Sequence, residues 1–165
     1  MDNYRLTSKD FFKTIQIIHF ALMTGLIVMG MLAFLFHYNG LEMEGGKEMN
    51  FGLIYVVPVF AFSGIIASNL VFKHKLKDSV NTPNLKEKLN NYRSALIAKF
   101  ALIEGNSFFA IIAYLLTGKL LYLGHAGLLL IVLLLYRPTK EKSIIDLELG
   151  HSDQQLIYDS NAIID

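Results

Sequence analysis

Residues 95–138 read ALIAKFALIEGNSFFAIIAYLLTGKLLYLGHAGLLLIVLLLYRP. Two apolar runs, 95–116 and 120–136, are separated only by Thr117-Gly118-Lys119. A helix rises about 1.5 Å per residue, so a run of about 17–25 residues crosses a hydrocarbon core of about 30 Å. Both runs qualify, and the turn between them forces antiparallel neighbours. Arg137-Pro138 closes the second run, because proline disfavours a helical residue before it.

Two earlier runs have the same character, 15–36 and 51–72. Lys9 and Lys13 precede the first, as in a signal peptide. The run exceeds a signal core of about 7–15 residues, and no small-x-small cleavage site follows. Pro58 lies within the second run, where a membrane helix tolerates it. Thr82-Pro83 marks a break in the polar stretch 73–93, and residues 84–92 read as a helical extension of the third run.

The fold expected is all-α: a four-helix transmembrane bundle, up-down-up-down, over residues 1–137, followed by a polar tail, 138–165. Ile144, Ile145, Leu147 and Leu149 are too few for a separate core. The tail is therefore either loosely ordered or a short segment that docks on the 73–93 loop or on a partner.

Thirteen of the fifteen Lys and Arg fall in the N-terminal arm, in residues 73–99 and in the C-terminal segment from Arg137 onward. By the positive-inside rule those segments, and both termini, are cytoplasmic. The loop 37–50, with Glu42, Glu44, Glu48 and Gly45-Gly46, then faces out. The hydrophobic fraction of 53% decides less than its clustering into runs. A net charge of +1 leaves no broad basic surface for nucleic acid. The absence of cysteine excludes disulfides and thiolate chemistry. No metalloprotease, nucleophile-elbow or phosphate-loop motif occurs, and no cofactor or metal site is expected.

A charged side chain at the centre of a span costs about 2.5–3.5 kcal/mol on insertion scales, so ionisable residues there need a reason. Glu104 lies about 7–8 Å inside Lys99, and His19 about 9 Å inside Lys13, at 1.5 Å per residue. The two can share a layer, and they are the ion-binding candidates. Glu104 could instead tie the third helix to the first by a hydrogen bond, or meet a headgroup or partner. His19 could make an interhelical hydrogen bond, with Gln16 one turn away. Lys99 reads as a snorkelling anchor, and His125 as interfacial. Ser94, Ala98, Ala101 and Gly105 step by 4, 3 and 4, the spacing of one helix face. Ala21 with Gly25, and Gly64 with Ser68, are further small pairs. Such faces pack helices closely within the bundle, or between copies in a homo-oligomer.

Tyr92-Arg93-Ser94-Ala95-Leu96-Ile97, Ala101-Leu102-Ile103-Glu104-Gly105, Leu116-Thr117-Gly118 and Arg137-Pro138-Thr139-Lys140 together resemble a small family of uncharacterised four-helix bacterial membrane proteins. That resemblance implies the bacterial inner membrane and no particular activity. Residues 101–105, with Pro83 in the preceding loop, also look like the carboxylate helix of the proteolipid c subunit of rotary ATP synthases. That likeness implies proton or cation binding at Glu104. Against it, Asn81 and Thr82 stand where that family has Arg and a polar residue, and Lys99 has no counterpart. The expected function is a non-enzymatic accessory or scaffold subunit whose loop 73–93 and tail 138–165 contact a partner. The alternative is a proton- or cation-coupled transport component using Glu104.

Overall fold

A computed structural model describes residues 7–40, 47–80 and 82–164, with side chains for all of these except 47–50 and 78. Glu42, Glu44, Gly45-Gly46 and Asn81 lie outside the described residues, as does the side chain of Glu48.

The chain is all-helical. Its elements are α1 (Ser8–Tyr38), α2 (Lys47–Val80), α3 (Leu85–Thr117), α4 (Leu120–Leu135), α5 (Lys140–Asp146) and α6 (His151–Tyr158). Among the described residues three helices, α1 to α3, are long and apolar enough to cross a membrane. A fourth span is added if α4 and α5, bent by 80° at their junction, count together. This is a multi-pass membrane protein. Large side chains left exposed, such as Met31, Phe62 and Leu128, are what a lipid-facing surface carries.

Local chemistry sets the helix ends. The Thr7 hydroxyl accepts from the Asp10 N–H at 3.2 Å and donates to the Asp10 carboxylate at 2.7 Å, a reciprocal cap that opens α1. Pro83 separates α2 from α3, and the Asn84 side chain then caps α3 by accepting from the Glu87 N–H at 3.0 Å. At the other end of α3, Gly118 takes φ +66°, and its N–H returns to the Tyr114 carbonyl at 2.7 Å. Thr139 caps α5 by accepting from the Lys142 N–H at 3.2 Å.

The contacts divide the chain into two compact units. Unit 1 draws on Met1–Phe20, Leu70–Lys99 and Arg137–Asp165; unit 2 on Ala21–Asn69 and Phe100–Tyr136. Unit 1 buries Phe11, Phe12 and Ile15 of α1, Leu89 and Tyr92 of α3, and Leu147, Leu149, Ile157 and Ile164 of the C-terminal segment. The Ser8 hydroxyl donates to the Ile157 carbonyl at 2.7 Å, and Thr7 pairs with Ile163 in an antiparallel bridge. Of the two readings for residues 138–165, the structure has the docked one. The apolar residues too few for their own core complete a core shared with α1 and α3.

Unit 2 is centred on Leu26, Val57, Ile103, Ile111, Tyr114, Tyr122 and Leu129. Gly64 and Ser68 of α2 are buried as the small-residue reading expects. A β-carbon at Gly64 would run into the Asn106 side chain, so this glycine marks a true close approach of α2 and α3. The other stripe needs correction as a packing face within the chain. Ser94, Ala101 and Gly105 are exposed and Ala98 is half-buried. The neighbouring face, with Ala95, Ile103, Ser107, Ala110 and Tyr114, turns inward instead. Buried area scales the gain, and the inward face carries Ile103 and Tyr114, both larger than anything on the small-residue stripe.

Candidate functional site

Glu104 stands midway along the apolar part of α3, half-buried in unit 2. Among the described residues it has no hydrogen-bond or ion-pair partner, so the expected tie to α1 is not made. Two residues on, and so on a different face of the helix, Asn106 donates to the Leu102 carbonyl of its own helix. Phe60, Ser63, Gly64 and Ala67 of α2 face Ala101, Leu102, Gly105 and Asn106 of α3 across an open groove of about 350 Å³.

His19 is fully buried, its ring edge-on to Phe20 at 5.8 Å. It belongs to unit 1 and Glu104 to unit 2, so neither unit contains the pair. Gln16 is engaged elsewhere, donating to the Pro138 carbonyl at 3.3 Å. His125 is 2.8 Å from the Leu121 carbonyl through Nδ1, a contact within its own helix.

A cluster in unit 1 escaped sequence reading. Lys99 is only 7% exposed, so it does not snorkel to an interface. Its ammonium lies 4.7 Å from the centroid of the Phe72 ring, a cation–π contact. The Phe72 and Tyr92 rings meet edge-on at 6.0 Å, and the Tyr92 hydroxyl donates to the Asp146 carboxylate at 3.0 Å. The Asp146 charge in turn attracts Lys99. One acid from the tail thus links to a tyrosine and a lysine of α3. In the sequence Lys99 is a lysine at the head of an apolar run, which reads as an interfacial anchor; Asp146 lies far along the chain.

Asp146 also lines an open groove of about 430 Å³. Lys73, Leu76, Lys77 and Val80 form one wall, spaced as a single face of α2; Asp146 and Glu148 form the other. Glu148 is held at φ +49°. The Leu149 N–H reaches the Ile144 carbonyl at 3.1 Å and the Glu148 N–H reaches that of Ile145 at 3.3 Å. This is the Schellman arrangement, with glutamate at the position glycine usually takes. The groove can bind charged and apolar groups together, with lysines on one side and carboxylates on the other.

Tyr92 lies in the polar first turns of α3, before the apolar run. Burial, then the Asp146 charge and the hydrogen bond to it, push its phenol well above the ordinary 10.0. The folded state therefore keeps a proton that the unfolded chain releases above pH 10.0. Stability from this source is whole below that pH and falls as pH rises. Tyr92→Phe should cost about 1–2 kcal/mol at neutral pH and flatten the alkaline loss. Thermal melts of the two proteins at stepped alkaline pH read both effects; parallel pH profiles would refute the assignment.

Among the described residues no three His, Asp or Glu side chains gather as a metal-binding group. No family model, curated protein or solved structure matches the chain.

Proposed function

We propose that this protein is a non-enzymatic accessory or scaffold subunit of a bacterial inner membrane. In this reading four helices cross the bilayer up-down-up-down, and both termini are cytoplasmic. Unit 1 is the cytoplasmic docking module. The supporting observation is its construction. Three distant chain segments, carrying thirteen of the fifteen Lys and Arg, share one packed core beside a groove with oppositely charged walls. Positive charge on that side accords with the positive-inside rule, and a groove with charged walls suits a protein partner better than lipid tails.

Affinity isolation of the tagged full chain in mild detergent tests the proposal. A partner should co-purify with the wild type and be lost with the double variant Lys73→Glu, Lys77→Glu, both at exposed positions outside the buried core of unit 1. A chain that travels alone, or a partner indifferent to both substitutions, would overturn it.

A second reading rests on Glu104. A half-buried carboxyl without a partner among the described residues, on a helix apolar enough to cross a membrane, suits a proton- or cation-coupled component. Glu104→Gln keeps the shape and should fold normally. Under the second reading it abolishes ion flux in proteoliposomes. Under the first there is no flux to lose, and partner capture is unchanged.

A further inference from the structure

We propose that unit 2 holds one acyl chain of a membrane phospholipid in a glycine-lined hollow formed by α1, α3 and α4. The hollow has a volume of about 150 Å³ and is lined by Leu26 and Gly30 of α1, Ile111 of α3, and Ala126 and Gly127 of α4. A second apolar hollow of about 380 Å³, along Met31, Phe34 and Leu35, shares Gly30 and Leu123 with it.

Glycines in membrane helices commonly let a neighbour approach, as Gly64 does here. Gly30 and Gly127 do the opposite. A β-carbon built on either meets no atom within 4 Å. Their missing side chains leave space rather than contact. Water is a poor occupant, since it needs two to four polar partners. The one hydroxyl in the lining, of Ser107, already donates to the Ile103 carbonyl at 3.0 Å. Apolar cavities of about 150 Å³ stay dry and accept small apolar guests. A helix from a second copy, about 10–12 Å across with its side chains, is too wide for such a space. The two hollows share Gly30 and Leu123 in their walls and both open at the surface, an arrangement that suits a flexible hydrocarbon chain. The bilayer supplies that chain along the apolar helices that form the walls.

The chain has no tryptophan, so a single introduced indole reports without background. Phe34→Trp places it at the rim of the path. Tyr55→Trp, on an exposed position of α2, serves as control. The probe is a phosphatidylcholine with brominated acyl chains, titrated into the full-length protein in detergent. Quenching at position 34 should saturate at one lipid per chain, while the control rises gradually without saturation. Gly30→Leu should abolish the saturable component, and Gly127→Leu does so from the opposite wall if the first variant fails to fold. Helix content and a monodisperse elution profile verify each variant. Identical, unsaturating curves at the two positions would mean that only bulk lipid touches the protein, and the proposal would fall. So would saturable quenching that survives filling with leucine.

Discussion

Gly118→Val should remove most folded protein from the membrane fraction. Gly118 sits at φ +66°, where a residue with a β-carbon costs roughly 1–2 kcal/mol. A β-carbon there would also strike the His37 imidazole. Moving His37 aside would break its edge-on contact with the buried Tyr114 ring at 5.6 Å. Forced insertion into packed surroundings costs about 1–3 kcal/mol more. The sum, about 2–5 kcal/mol, is a large share of the roughly 5–15 kcal/mol that holds a typical protein folded. Valine, branched at Cβ, is the harsher test. Gly118→Asn should lose less, since asparagine tolerates the left-handed conformation. Combining it with His37→Ala should recover part of what remains, because the obstructing ring is gone. Thermal melts in detergent measure the series. A Gly118→Val protein that melts with the wild type would show that neither the turn geometry nor the His37 contact matters.

This turn was legible because glycine, the short gap and two flanking apolar runs all point the same way. The break at Thr82-Pro83 and the helical extension before the third run were legible for similar local reasons. Helix limits were less so. The first two runs, 15–36 and 51–72, sit inside helices that extend to Ser8–Tyr38 and Lys47–Val80. Apolarity marks where lipid is met, whereas a helix continues through Lys73, Lys75 and Lys77 because nothing there breaks it. The stripe of Ser94, Ala98, Ala101 and Gly105 shows a different limit. Spacing establishes which residues share a face, but not which face turns inward. For His19 and Glu104, counting residues gives a height along each helix and leaves the neighbours open. The Lys99–Tyr92–Asp146 cluster is the clearest omission. It depends on a tail that folds back on the chain, and four scattered aliphatic residues could not announce that.

Leu147→Asp should release the C-terminal segment from unit 1, while Ile145→Asp, two residues earlier, should leave it docked. The contrast follows from burial alone. Leu147 is 0% exposed and Ile145 is 73% exposed. Burying a leucine fully contributes about 1.5–3 kcal/mol, and an aspartate in its place adds the cost of an unpaired buried charge. The segment avoids that charge cost by undocking, and other contacts then fail with it. Tyr92 loses its Asp146 acceptor, Ser8 loses the Ile157 carbonyl, and Thr7 loses its bridge to Ile163. Leu149, Ile157 and Ile164, each nearly inaccessible, become exposed. Phe11, Leu89 and Tyr92 are uncovered on the other side of the same core. Unit 2 keeps its own core, centred on Ile103, Tyr114 and Leu129, so the variant should still be recovered from membranes. Limited proteolysis reads the difference, with rapid cutting after residue 137 in Leu147→Asp and wild-type resistance in Ile145→Asp. If a partner occupies the groove walled by Asp146 and Glu148, the same variant also loses that partner. Equal protease resistance in the two variants would mean that Leu147 does not hold the segment in place, and the shared core of unit 1 would have to be redrawn.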